Sequence, residues 1–323
     1  MTGTARTDLQ PDAAAPAPGA AGRGSVAARR TGWAWGMVRT ARPKQWSKNI
    51  LVFVAPGAAG VIGHPDPALR ALAVFGIFCA AASGTYFVND TVDAEADRSH
   101  PAKAGRPIAS GQVGATSAVA VAAVLFAVAL VGAWLVASWQ LAVAVGAYEA
   151  INVTYSLRLK HVPVVELAAV ASGFVIRAIA GGIGTHVPLS SWFLVVTSFG
   201  ALFLVVGKRA GEHHTLGEDR GNHRATLDLY SMQFLRSALT LSAGATVTTY
   251  CLWAFDRTGL GRRGDHLVWI ELSVVPVIVG VLYVLRLLDA GEGSAPTELA
   301  LEDRTLQLLA VAWAVLVALG VYA

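Results

Sequence analysis

The chain has 323 residues, of which 54% are hydrophobic and 14% charged, with mean hydropathy +0.54 and a formal net charge of +4. A soluble domain carries about 25% charged residues, so this composition is too apolar to wet a globular surface and excludes disordered, collagen-like and disulfide-scaffold chains. It reads as an all-α polytopic membrane protein, in which the small basic excess signals no nucleic-acid partner and its distribution matters more than its sum.

Residues 1–32 are rich in Ala, Gly, Pro, Thr and Arg without hydrophobic period, and read as a disordered cytoplasmic arm; residues 33–323 form the membrane-embedded domain. No apolar stretch with a cleavage site opens the chain, so no signal peptide is expected. Trp33 to Asn49 mixes Trp with Arg and Lys, which suits a short helix lying among lipid headgroups. A bilayer core of about 30 Å needs about 20 apolar residues per helix. By that measure there are nine candidate spans: 50–64, 68–92, 114–136, 138–156, 163–184, 190–209, 231–255, 267–288 and 304–322. The first is short and interrupted by Pro56-Gly57. No span alternates like a barrel strand, and the runs of Ala, Gly and Val suit close helix packing in lipid. Cys79 and Cys251 lie in apolar runs, make no CxxC pair and read as core residues.

Basic residues cluster before span one (Arg39, Arg42, Lys44, Lys48) and after spans two, four and six, with Arg257, Arg262 and Arg263 as the exception. The positive-inside rule then places the N-terminus in the cytoplasm, the C-terminus outside, and the polar loops on the cytoplasmic face.

The chemistry concentrates where span two ends. Asn89, Asp90, Asp93 and Asp97 form an NDxxDxxxD pattern, and on a continuous helix the three carboxylates fall within about 60° of one another. Such a stripe repels itself unless a cation sits in it, and hard oxygen ligands suit Mg²⁺ shared with substrate phosphates. Arg98, His100, Lys103 and Arg106 follow at once, so a diphosphate would find metal on one side and cations on the other.

With Arg106-Pro107-Ile108-Ala109-Ser110-Gly111 and the Tyr155 to Lys160 exit of span four, this pattern resembles the UbiA superfamily of membrane-embedded transferases over roughly residues 40–322. The resemblance implies helices enclosing a cavity open to cytoplasm and bilayer, with Mg²⁺ holding a diphosphate at the acidic motif. Most of that superfamily carries a second Asp-rich motif after span six. Here Lys208, Arg209 and Glu212 stand there instead, followed by Arg224. Cations in that place favour direct contact with an anion over a second metal cluster. Together with Arg42-Pro43-Lys44-Gln45-Trp46-Ser47-Lys48-Asn49 and the run from Ser172 to Gly182, the pattern is similar to the branch that transfers phosphoribosyl to decaprenyl phosphate.

That resemblance implies phosphoribosyl pyrophosphate as donor, a polyprenyl (decaprenyl) phosphate as acceptor and a product serving cell-wall arabinose supply. Asp90, Asp93 and Asp97 would hold Mg²⁺, with Asn89 beside them, and Lys44, Lys48, Asn49, Lys103, Arg106, Tyr155, Lys160, Arg177, Lys208, Arg209 and Arg224 would contact substrate. Arg177, near the middle of span five, either touches substrate or braces helices, and Glu166, 11 residues away, is too far for an intrahelical pair. Glu149 and Asn152 suit interhelical hydrogen bonds, His213-His214 a solvated loop, and Gly181-Gly182 helix packing. Two other readings remain: an aromatic prenyltransferase of the same fold, and a transporter or channel. The sequence permits a homo-oligomer without fixing the oligomeric state.

Overall fold

The structure, a computed structural model, describes residues 32–216, 226–258, 268–292 and 296–323. All regular structure among them is helical. A first helix, α1 (32–41), ends at Arg42, whose φ of 52° is left-handed. Pro43 then opens a 3-10 segment, Pro43–Phe53, that runs into the five-residue α2, Val54–Ala58. Long helices follow: α3 (Pro65–Val92), the short α4 (Ala94–Ser99), α5 (Ala115–Val136), α6 (Trp139–Leu157), α7 (Val165–Gly184), α8 (Ser191–Leu216), α9 (Met232–Thr258), α10 (Val268–Leu272), α11 (Val274–Asp289), α12 (Pro296–Glu302) and α13 (Arg304–Tyr322).

Among the described residues, seven helical stretches are long and apolar enough to cross a bilayer: α3, α5, α7, α8, α9, the pair α10–α11, and α13. The other two expected spans differ from simple membrane helices for identifiable reasons. Helix α6 has the length, at 19 residues, but carries Glu149, Asn152 and Tyr155. The first span, 50–64, holds only the last four residues of a 3-10 segment and the five-residue α2 before turns begin at Ala59, so it contains no single long helix.

Even so, that segment traverses the fold. Arg42 meets Asp90, Trp46 Nε1 donates to Ser83 Oγ at 3.1 Å, and Asn49 Nδ2 reaches Cys79 Sγ at 3.3 Å, so it descends antiparallel to α3. Its far end lies beside the C-terminus, where Tyr322 Oη donates to the Gly57 carbonyl at 3.3 Å. With about 2.0 Å rise per 3-10 residue and about 1.5 Å per α residue, the two pieces reach about 30 Å, the thickness of the apolar core.

Helix α7 is the axis of the molecule. One apolar cluster joins Tyr148, Val145 and Leu141 of α6, Phe78 and Val74 of α3, and Ala180 of α7. A second joins Leu167 and Ala171 of α7 to α8, α9, α11 and α13. Small residues let the backbones approach: a Cβ added to Gly181 would sit 1.9 Å from the Val52 carbonyl oxygen, and one on Gly182 would meet Leu189 at 2.5 Å. The outward faces of α5 and α13 are apolar, with Val124, Val128, Val131, Trp134, Leu308 and Val311 exposed. That is a surface for lipid, and the chain is an integral membrane protein.

Candidate functional site

Helix α3 is 28 residues long, about 42 Å at 1.5 Å per residue, so its last turns project past an apolar core of about 30 Å. Those turns carry Asn89 and Asp90. The helix breaks at Asp93 (φ −87°, ψ 0°), which also opens α4. The interruption is slight, since the Asp93 N–H still donates to the Asn89 carbonyl and the Asp97 N–H to the Asp93 carbonyl, and it leaves Asp90 and Asp97 facing one cation while Asp93 faces another.

Each carboxylate meets a cation. Asp90, buried at 2% exposure, accepts from Arg42 Nη2 at 2.6 Å and from Arg106 Nη1 at 3.4 Å. Asp97, also buried, accepts from the same Arg106 Nη1 at 2.6 Å. Asp93 accepts from Lys160 Nζ and, at 3.2 Å, from Asn89 Nδ2. Asn89 Oδ1 in turn accepts from Ser156 Oγ of α6 at 3.3 Å.

The positions follow from local packing. Arg106 sits on the loop between α4 and α5, pinned where Arg98 Nε donates to the Ala109 carbonyl (3.0 Å) and where Ile108 and Val113 pack against Phe87, Met37 and Ala41. Lys160 stands on a single 3-10 turn, Leu159–His161. Arg42 leans over the Tyr86 ring, 4.8 Å from its centroid. Lys103 lies half-buried on the Arg106 loop, Lys44 is exposed, and Lys48 is half-buried.

A second charged cluster joins α7 to α8. Arg209, buried at 3% exposure, points Nε and Nη2 at the two oxygens of Glu166 (2.8 and 2.9 Å) and Nη1 at Glu212 (2.9 Å). Arg209, expected to contact a substrate phosphate, directs its guanidinium at two carboxylates. Lys208 is half exposed, 3.8 Å from Glu212, and Tyr155 lies within electrostatic reach of Arg209. Glu166 is set by a tight turn at Val164 (φ 67°), where the Val165 N–H donates to the Pro163 carbonyl and the Val164 N–H to Tyr230 Oη. His213 and His214 belong to the end of α8, not to a loop, and His213 Nε2 lies 3.1 Å from the Tyr230 carbonyl. Arg224 lies outside the described residues.

Arg177 and Asn49 are brought together, but with each other. Arg177 donates from Nε to Asn49 Oδ1 (2.7 Å), from Nη1 to the Gly173 carbonyl (2.6 Å) and from Nη2 to Tyr148 Oη (2.9 Å). Its charge also lies over the Tyr148 ring, at 4.6 Å. Nε thus ties α7 to the 3-10 segment and Nη2 ties it to α6, while Nη1 is held by α7 itself, an arrangement that braces helices. Sequence reasoning missed Arg42 as a site residue, although it directly precedes the Pro43 that starts the 3-10 turn. It also missed Tyr148, whose role has no local sequence signal.

Among the described residues, no three carboxylate, histidine or cysteine side chains converge closely enough to share a metal ion as they stand. The donor set nevertheless suits a hard cation. Asp90 and Asp97 converge on one nitrogen of Arg106, and with Asp93 they are the oxygen donors that would hold a divalent ion.

A model of the UbiA prenyltransferase family matches residues 50–309. Decaprenyl-phosphate phosphoribosyltransferase of Corynebacterium glutamicum is 40% identical over 291 residues, covering 89% of this chain and 87% of that protein. The protein of the same name from Mycobacterium tuberculosis (strain H37Rv) is 42% identical over 282 residues, covering 86% of this chain and 91% of the other. Among solved structures, a UbiA homolog from Archaeoglobus fulgidus bound to GPP and Mg²⁺ matches with TM-score 0.64 at 18% identity, over 88% of this chain and 98% of that one. A digeranylgeranylglyceryl phosphate synthase matches with TM-score 0.66 at 14% identity, over 90% and 99%. These solved structures share the helical fold, the family match spans most of the chain, and the chain is a membrane-embedded transferase of the UbiA prenyltransferase family.

Proposed function

We propose that the chain transfers the 5-phosphoribosyl group of phosphoribosyl pyrophosphate to a polyprenyl phosphate such as decaprenyl phosphate, at the cytoplasmic face of the plasma membrane, with Mg²⁺ at the acidic site. The observation that carries this reading is the identity of 40% along nearly the whole length of a phosphoribosyltransferase. The site's chemistry agrees with it: three carboxylates and three cations meet where α3 emerges from the apolar core. A phosphate and a diphosphate are both anions, so this reaction needs positive charge and positioning more than a strong base.

The acceptor phosphate oxygen attacks the anomeric carbon as the bond from that carbon to the diphosphate oxygen breaks, and the diphosphate leaves with the electron pair. The nucleophile is already anionic near neutral pH, so no side chain has to remove a proton from it. Asp90, Asp93 and Asp97 would hold Mg²⁺, which when bound supplies a Lewis acid that draws charge from the departing diphosphate. Arg42, Arg106, Lys103 and Lys160 surround that group with donors whose contacts strengthen as its charge grows. Lys208, half exposed beside the Arg209 cluster, and Lys44 and Lys48, on the 3-10 segment, are the cations for the sugar 5-phosphate and the lipid phosphate. The apolar outer faces of the bundle leave the polyprenyl tail in lipid.

Membranes containing the protein, given labelled phosphoribosyl pyrophosphate, Mg²⁺ and polyprenyl phosphate, are expected to place label in the lipid fraction and lose that activity in EDTA. Transfer of a prenyl group from a prenyl diphosphate to an aromatic acid, with phosphoribosyl pyrophosphate ignored, would overturn the reading.

A further inference from the structure

Every carboxylate of the acidic site already carries one of the chain's own cations, Arg42 and Arg106 on Asp90, Arg106 on Asp97, and Lys160 on Asp93. Three formal negative charges thus face three positive ones. At Asp90 and Asp97 the acids and bases are not held alike: the two carboxylates are 3% and 5% exposed and Arg42 and Arg106 each 29%, whereas in the third pair Asp93 is 28% exposed and Lys160 19%. Asp90 and Asp97 are fixed in the helix end, while the long basic side chains have solvent to turn into without disturbing the packing.

This arrangement penalises either ligand alone. A lone divalent cation must displace a guanidinium from its carboxylate and leave that positive charge uncompensated beside it. A lone diphosphate meets carboxylates whose charge is already matched, and adds uncompensated negative charge beside buried Asp90. A metal–diphosphate pair meets neither obstacle, because the metal takes the carboxylates and the released cations take the phosphate oxygens. Resting on the proposed function for its diphosphate, we propose that Arg42, Arg106 and Lys160 are exchangeable counterions, seated on Asp90, Asp97 and Asp93 until metal and diphosphate arrive together and then moved to the diphosphate oxygens. The two ligands bind as a coupled unit. Arg106 is the most telling of the three, since its Nη1 occupies the place between two carboxylates where a cation would sit. No covalent bond changes in this exchange.

The test uses the purified full-length chain in detergent and two probes. Free Mn²⁺, counted by electron paramagnetic resonance, reports metal binding alone; labelled inorganic pyrophosphate in equilibrium dialysis reports diphosphate binding with and without Mn²⁺. In the native chain, metal is expected to tighten pyrophosphate binding by about 5- to 150-fold, the usual span of coupling between two ligands. Arg106→Gln removes the competing cation, so it should bind Mn²⁺ alone more tightly than the native chain and pyrophosphate less tightly in the presence of metal. A merely structural arginine would not produce that opposite pair of shifts. Arg106→Lys keeps the charge and should behave like the native chain. Should Arg106→Gln fail to fold, judged by its thermal transition, Arg42→Gln and Lys160→Gln carry the same expectation. Pyrophosphate binding that is equally strong with and without metal, or unchanged or weaker Mn²⁺ binding in a well-folded Gln variant, overturns the exchange and leaves the proposed function standing. No pyrophosphate binding under any condition would instead remove the diphosphate site on which that function depends.

Discussion

Asp90 and Arg209 are both buried charges, and their surroundings assign them different work. Asp90 faces partly exposed cations that can leave, whereas Arg209 and Glu166 face each other at 3% and 0% side-chain exposure with two parallel bonds. Replacing Asp90 or Asp93 by Ala should nearly abolish transfer while the thermal transition in detergent stays cooperative; normal turnover in both variants sinks the metal assignment. Arg209→Gln leaves Glu166 buried without its partner, a loss of about 3–5 kcal/mol for comparable buried pairs, and should lower the thermal transition markedly. Adding Glu166→Gln should restore most of that loss. Lys208→Gln should melt like the native chain but transfer about ten- to a hundredfold more slowly, as expected for removing one charge-assisted phosphate contact. If Arg209→Gln melts normally and only transfer suffers, Arg209 contacts phosphate directly and is more than the buried partner of Glu166. The carboxylates could be found in the sequence because their spacing is local. The partner of Arg209 could not, because Glu166 lies 43 residues away and only the packing of α7 on α8 brings it near.

At the scale of elements, the 3-10 segment is the least regular crossing and the most constrained. Arg42 in a left-handed conformation and Pro43 after it aim the segment down α3, and Gly181 of α7 receives its backbone at Val52. Gly181→Ala would place a methyl group against a backbone oxygen, which cannot swing aside as a side-chain tip would. It should destabilise the protein by at least the ~1–3 kcal/mol typical of overpacking, read from thermal unfolding in detergent. Gly244→Ala is the control, since nothing lies within 4 Å of its added Cβ, and helix propensity predicts no loss there. Equal behaviour of the two variants would show that the segment is looser than its contacts indicate. The interruption at Asp93 was likewise hidden from periodicity: Asp93 ends one helix and opens the next, yet Asp90 and Asp97 still meet the same Arg106.

For the whole molecule, the contacts describe an alternation of direction. The acidic end of α3 meets the start of α1's successor segment and the end of α6, while the end of α13 meets Gly57 at the opposite side. Nine crossings with opposite-facing termini follow if each traversal is a membrane crossing, in line with the loop charges apart from Arg257, Arg262 and Arg263, the last two outside the described residues. Single cysteines introduced at Ser47 and Ala323, with Cys79 and Cys251 replaced by Ala, should label from opposite faces of sealed vesicles. Labelling from one face would mean that the 3-10 segment re-enters rather than crosses. By itself the sequence determined the membrane class, the helical architecture and the cluster of neighbouring carboxylates, because apolar run length and carboxylate spacing are local properties of the chain. Only the tertiary structure decided which charges are partners: Arg42 with Asp90, Glu166 with Arg209, and Arg177 with Asn49 and Tyr148. In an interior of low dielectric an ion needs a partner within bonding distance, and which residue provides it depends on how distant helices pack.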